Sequence, residues 1–220
     1  MRLYATEAEF CAAFLRGIGP RWTVYPEACG YDIFLVRDDG YQVGVEAKLR
    51  PSLRLVQQVS AHVYAAEMWG HARPDCIVAA CPDHRPLHEV MELLRPRGVV
   101  LLQRFLDMGP EARELPIGST KRCPVPEVVG DDVAGSPGGP SCTPWKLKAI
   151  RLALRMREHG YVTSADFKAL ELSISTWRAR NWLATDGREG RRMRYMPGPS
   201  WVWWDEAHPT VTEQLCGGAR

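Results

Sequence analysis

Apolar positions first recur at helical spacing near the N-terminus. Phe10, Ala13, Phe14 and Ile18 follow Thr6, a residue type that caps helices, and predict a helix to about Arg16. Trp22–Pro26 reads as a short extended segment. Two compact apolar runs, Ile33–Val36 and Tyr41–Ala47, flank Asp39-Gly40, a pair suited to a tight turn, and predict a β-hairpin. Ser52 is placed to cap a second helix to about Trp69, with Val56, Val59, Val63 and Ala66 on one face. Cys76–Ala80 is uniformly apolar, as a strand covered on both faces would be. A helix over Arg85–Leu94 and a strand over Val99–Gln103 complete the series. The order αβββαβαβ predicts an α/β domain over residues 1–106. Its mixed sheet receives the later strands through crossover helices.

The pattern then breaks. From Gly109 to Pro144 prolines and glycines cluster without useful periodicity, so residues 107–142 read as a linker, mobile at least around Gly135–Ser141. Periodicity returns at Thr143. Pro144 suits a first helical position and Gly160 a helix end. Leu147, Ala149, Ile150, Ala153, Leu154 and Met156 form an apolar side, with Lys148, Arg151 and Arg155 as a basic stripe. Ser164 is expected to cap a short helix to about Leu170, and Ser175 a second one through about Ala184, with the segment LSIS as the turn between them. A hairpin-like wing with Asp186-Gly187 and Gly198 as turn residues follows. The second unit spans 143–206, and 207–220 is a tail.

Charge sharpens the division. The net value of +2 hides a balanced first part (12 Lys/Arg and 12 Asp/Glu over 1–106) and a basic second unit, in which 12 Lys/Arg over 143–205 face 6 Asp/Glu. No apolar run is long enough to span a bilayer, so no membrane partner is expected. Acids stand where a signal peptide would be apolar, which predicts a cytoplasmic protein. Seven cysteines form no CxxC pair and argue against a disulfide framework.

The hairpin carries charges that a purely structural hairpin would not need. Asp32 opens one arm, and Glu46 and Lys48 end the other. Side chains at i and i+2 share a strand face, so Glu46 and Lys48 are expected to point the same way. Pairing about Asp39-Gly40 sets position 32 near 47 or 48. Two close carboxylates repel unless a cation lies between them, and Mg2+, a hard ion that keeps waters and takes phosphate oxygens, suits such a pair. Here the sequence resembles the PD-(D/E)XK nuclease superfamily. Gly30-Tyr31-Asp32 matches its first acidic motif, although tyrosine stands before the aspartate where proline is usual, and Glu46-Ala47-Lys48 matches its (D/E)XK. The resemblance covers roughly residues 5–105 and implies a restriction-endonuclease-like core. It implies Asp32 and Glu46 as metal ligands, Lys48 as the catalytic lysine, an accessory acid at Glu7 or Glu9, and an accessory polar residue at Gln58 in preference to Gln57. Gln58 and His62 share a helix face, and Glu27 is a further acid nearby. A rival zinc set, Cys76, Cys81, His84 and His88, is disfavoured because a strand sets the two cysteines roughly 16 Å apart.

The second unit resembles a winged helix-turn-helix domain. That resemblance implies Thr176, Trp177, Arg178, Arg180 and Asn181 as groove-facing residues, with Ile174, Ala179, Trp182 and Leu183 inward. Arg188, Arg191, Arg192 and Arg194 on the wing suit phosphates or a minor groove. Trp201, Trp203 and Trp204 are expected to support the core and wing. The resulting expectation is a Mg2+-dependent DNA endonuclease, with Mn2+ as a substitute ion. Its alternatives are a non-catalytic DNA-binding regulator or adaptor with a degenerate nuclease fold, or a Holliday-junction-type resolvase, which would need a homodimer. No GxxxxGK[ST] loop is present, which argues against a nucleotide-driven motor.

Overall fold

The computed structural model describes residues 3–82, 88–102, 121–135 and 142–217. The chain divides into two compact units, Met1–Gly139 and Pro140–Arg220.

The first unit is mixed α/β. Helix α1 (Glu7–Arg16) starts where the Thr6 side chain accepts a hydrogen bond from the Glu9 amide, and it buries Phe10, Cys11 and Phe14. Strands β1 (Trp22–Ala28), β2 (Tyr31–Arg37) and β3 (Gln42–Ala47) follow as an antiparallel meander. The turn into β3 is built as expected. Gly40 holds φ 86°, the Asp39 carboxylate accepts from the Tyr41 amide at 3.0 Å, and the Arg37 guanidinium brackets the same carboxylate. The turn from β1 to β2 is tighter. Ala28 pairs with Tyr31, so Cys29 and Gly30 alone connect the strands, both at positive φ as a two-residue hairpin requires.

Helix α2 (Leu53–Trp69), capped by Ser52, carries the chain to β4 (Cys76–Ala80), parallel to β3. Helix α3 (His88–Leu94) does the same for β5 (Val99–Leu102), parallel to β4. The start predicted for α3 at Arg85 and the end predicted for β5 at Gln103 lie outside the described residues. Sheet order is β1-β2-β3-β4-β5. Residues of β3 and β4 are buried throughout, as expected for strands covered on both faces. Phe10 and Phe14 of α1 pack with Ile33, Leu35, Val43, Val45 and Ala47 on one face. Leu55, Val59 and Val63 of α2 pack with Ile77, Ala79, Val90 and Val99 on the other.

The proline- and glycine-rich stretch corrects the expectation of a free linker. Residues 121–135 belong to the first unit. Arg73 bridges to Arg122, the Gln42 side chain donates to the Cys123 carbonyl at 2.9 Å, and the Gly135 amide donates to Glu27 Oε1 at 2.8 Å. These bonds satisfy part of the buried polar groups there, although the strap's composition gives no periodic signal. Residues 107–120 and 136–141 of the predicted linker lie outside the described residues.

The second unit opens with α4 (Pro144–His159), capped by Thr143 and closed by Gly160 at φ 76°. Strand β6 (Val162–Thr163), helix α5 (Ser164–Ala169), helix α6 (Ile174–Ala179) and strands β7 (Leu183–Glu189) and β8 (Arg192–Pro197) follow, with sheet order β6-β8-β7. Three local expectations are corrected. The caps are Thr163 and Ser173, one and two residues before the serines predicted, because Thr163 closes a capping box with Asp166 and the Ser173 side chain accepts from the Thr176 amide. Helix α6 is one short element that stops at Ala179, because Asn181 takes φ 55°. The β7–β8 turn is Gly190-Arg191, while Asp186-Gly187 forms an irregularity inside β7. The predicted tail also folds back: after α7 (Trp204–Ala207), helix α8 (Pro209–Gly217) buries Val211. Among the described residues no helix is long and apolar enough to cross a membrane.

Candidate functional site

The charged residues of the hairpin gather where β3 ends. Asp32, near the start of β2, accepts a hydrogen bond through Oδ2 from the Ala47 amide at 2.7 Å. The adjacent Lys48 Nζ lies 3.7 Å from the same oxygen, 3.0 Å from Glu7 Oε2 on α1 and 2.9 Å from the Ala47 carbonyl. Its backbone amide also donates to the Ala80 carbonyl, so the chain is held on leaving the sheet. Burial works against the Lys48 charge, but Asp32, Glu7 and Glu46 outweigh it and raise its pKa. The charged form is thus favoured by its three acidic neighbours.

Glu46 is 3% exposed and turns to the face covered by α2, where Oε1 lies 3.0 Å from His62 Nε2. This corrects the expectation that Glu46 and Lys48 share a face. Regular β3 ends at Ala47, so the pleat no longer dictates the direction of the next side chain, and Lys48 reaches α1. Asp32 is the residue in range of both. It lies beside Lys48, and its charge adds to the effect of burial in raising the Glu46 pKa, with His62 opposing. Glu27 belongs to the same field. Burial foremost raises its pKa, the Gly135 amide opposes, and Asp32, Asp132 and Glu46 add to it.

His62, read from the sequence as sharing a helix face with Gln58 that could look toward the site but given no role, meets Glu46. Its ring stacks on Tyr31 with centroids 4.3 Å apart, and a Cβ at Gly30 would lie 3.5 Å from it. Tyr31 in turn lies over Gly44, where a Cβ would come within 2.7 Å of the ring, so the small residue inside β3 makes room for this stack. The available signal was the i, i+4 relation of Gln58 and His62. Gln58 is half-buried, and among the described residues its Oε1 has no hydrogen-bond partner and no bond links it to the acidic residues. Glu7 and not Glu9 meets Lys48; Glu9 Oε2 accepts from the Ala5 amide at 2.8 Å, before the start of α1.

Among the described residues no group of three or more His, Cys, Asp or Glu side chains is arranged to hold a metal ion. A Mg2+ site does not require one, since one or two carboxylates suffice when water and phosphate supply the remaining oxygens. Oδ1 of Asp32 and Oε2 of Glu46 remain without a hydrogen bond among the described residues. Of the rival zinc set, Cys76 opens β4 and Cys81 follows its last residue, both buried, and His84 lies outside the described residues.

The buried charge of Glu46 yields a prediction. Glu46→Gln keeps a partner for His62 and removes an anion that burial and Asp32 both disfavour. Thermal unfolding of the metal-free chain should show the variant melting higher by about 2 °C, the response of a domain of this size to about 0.5 kcal/mol. A lower melting temperature would mean that the carboxylate is held by more than His62.

In the second unit Thr176, Arg178, Arg180 and Asn181 are exposed, but Trp177 is 1% exposed and is the centre of the core. Ala179, expected to pack inward, is exposed. Arg180 stacks over Trp182 at 4.8 Å from its centroid. Arg188, Arg191 and Arg192 are exposed. Arg194 is committed within the fold, 3.0 Å from Asp186 and 4.2 Å over the Tyr161 ring. Trp201 and Trp203 are half-buried, and Trp204 is buried against Trp177, in line with their expected supporting part.

Compared with family models, curated proteins and solved structures, the chain matches none.

Proposed function

We propose that the first unit is a nuclease domain of the PD-(D/E)XK type that hydrolyses DNA phosphodiesters with Mg2+, and that the second is a winged helix-turn-helix module that brings it to DNA. The observation that carries this reading is the cluster at the end of β3. There an ammonium from the EAK motif lies 3.0 Å from Glu7 and 3.7 Å from Asp32, with Glu46 coupled to Asp32 by charge. The element order αβββαβαβ and the sheet order β1-β2-β3-β4-β5 support it. Asp32 and Glu46 would hold the cation, which when bound supplies Lewis-acid polarisation of the phosphate. Lys48 offsets negative charge that builds on the phosphate oxygens, Glu7 and Asp32 keep its ammonium in place, and His62 fixes the orientation of the Glu46 carboxylate.

The deciding experiment incubates the full chain with supercoiled plasmid, single-stranded DNA and branched DNA in Mg2+, Mn2+ or chelator. Cleavage that requires the ion is expected. Cleavage confined to branched DNA would instead indicate a resolvase.

A second reading, a DNA-binding protein with a retired nuclease fold, draws on the engagement of Asp32 with the Ala47 amide and of Glu46 with His62. Absence of cleavage together with salt-sensitive duplex binding would establish it.

For the second unit, the exposed arginines at the β7–β8 turn are the natural phosphate ligands. The double variant Arg191→Ala/Arg192→Ala should bind duplex DNA more weakly at every sequence tested. The slope of log K against log salt should become shallower by roughly 2, about one unit for each phosphate no longer neutralised. Fluorescence anisotropy at several salt concentrations measures both. An unchanged slope would remove this turn from the interface.

A further inference from the structure

We propose that Cys29 and Cys123 form a redox-active dithiol, oxidised to an intramolecular disulfide by a low-molecular-weight disulfide of the glutathione class. This inference is independent of the nuclease reading. Cys29 sits in the two-residue turn between β1 and β2, half-buried, with its backbone at φ 56° and Gly30 beside it at φ 85°. Its thiol donates to the Pro124 carbonyl at 3.4 Å, one residue from the buried Cys123. Cys123 is itself fixed, because its carbonyl accepts from the Gln42 side chain and its amide donates to the Arg73 carbonyl. Two cysteines from distant parts of the sequence are thereby brought together, Cys29 half-buried and Cys123 buried.

The electrostatics set the two thiols apart. The neighbouring Cys123 thiol holds the Cys29 thiol below its ordinary pKa against the effect of burial, and the same proximity together with burial raises that of Cys123. The thiolate is the attacking form, so Cys29 is the residue that reacts first. Cys11, Cys76 and Cys81, by contrast, are buried in the sheet core and are raised by burial.

The chemistry balances in two exchanges. The Cys29 thiolate attacks one sulfur of oxidised glutathione, its S–S bond breaks, and one glutathione thiolate leaves with the electron pair. Cys123 then loses its proton to solvent and attacks the Cys29 sulfur, releasing the second glutathione. Once Cys29 carries glutathione, the neighbouring negative charge that opposed ionisation of Cys123 is gone. The protein loses two electrons and two protons, and one glutathione disulfide becomes two thiols. The bond staples the 121–135 strap to the β1–β2 turn, three residues before Asp32.

The test uses the full chain. Reduced protein is exposed to oxidised glutathione, free thiols are alkylated, and the product is analysed by intact mass and by peptide mapping without reductant. The expected result is loss of two of the seven alkylation sites, no retained glutathione, and a peptide linking Cys29 to Cys123. In Cys123→Ser the glutathione should remain on Cys29, while Cys29→Ser should leave Cys123 unmodified. A stable glutathione adduct on wild-type Cys29, or a disulfide mapped to any other pair such as one through exposed Cys216, overturns the proposal. The wild-type map decides the matter even if a serine variant folds poorly.

Discussion

Lys48→Met is expected to lower ion-dependent DNA cleavage by about 10²–10³-fold, the usual loss when one preorganised charge donor is removed from a reacting phosphoryl or acyl group. Methionine keeps the unbranched stem and discards only the ammonium. That ammonium is the sole cation the described residues place between Glu7 and Asp32. Its removal leaves those carboxylates facing each other, and a small fall in melting temperature should accompany the loss of activity. Duplex binding measured by anisotropy should be unchanged, because the exposed arginines lie in the other unit. Equal cleavage by wild type and variant would remove Lys48 from the chemistry. Lys48→Arg is a sharper probe. It keeps the charge, but a planar fork replaces a compact point charge, so partial activity at most is expected.

The second large effect concerns Trp177. Trp177→Ala should destabilise the second unit by about 3–5 kcal/mol, the range for truncating a buried aromatic ring. Five aromatic rings surround it with centroids between 5.0 and 6.0 Å, namely Trp145, Phe167, Trp182, Trp201 and Trp204. A domain of this size has a total stability on the order of 5–10 kcal/mol, so the loss consumes much of it. Denaturant unfolding of the full chain followed by tryptophan fluorescence should show an early transition for the variant. Trp177→Phe separates a core role from a DNA-contacting one. It keeps most of the apolar volume and should cost stability without changing duplex affinity at temperatures where the variant is folded. A large drop in the affinity of folded Trp177→Phe would restore this residue to the interface.

The strands and helices were legible wherever a local rule sufficed. Asp39-Gly40 specified its turn because the aspartate side chain and the glycine φ satisfy it without help from elsewhere. Thr6, Ser52 and Thr143 capped their helices as read, since a cap needs only backbone amides two or three residues away. The same rule misplaced α5 and α6, where two candidate hydroxyls stood close together and the choice depended on Asp166 and on how Trp177 could be buried. The strap at 121–135 was illegible for a different reason. Its order comes from single hydrogen bonds to Gln42, Arg73 and Glu27, which leave no periodic trace.

By itself, then, the sequence determined the mixed α/β order of the first unit, the hairpin and its turn, the basic character of the second unit and the set of charged residues at the end of β3, while the hairpin register, with Ile33 opposite Val45, sets position 32 opposite 46 and not 47 or 48. Periodicity, capping and charge are properties of neighbours along the chain, so they survive in one dimension. Only the tertiary structure decided that Glu7 and not Glu9 meets Lys48, that His62 holds Glu46, that Trp177 is core, and that Cys29 lies against the Cys123-Pro124 segment. Each of those pairs residues from different elements. Whether they meet depends on where strands end and how helices pack, which no local pattern encodes.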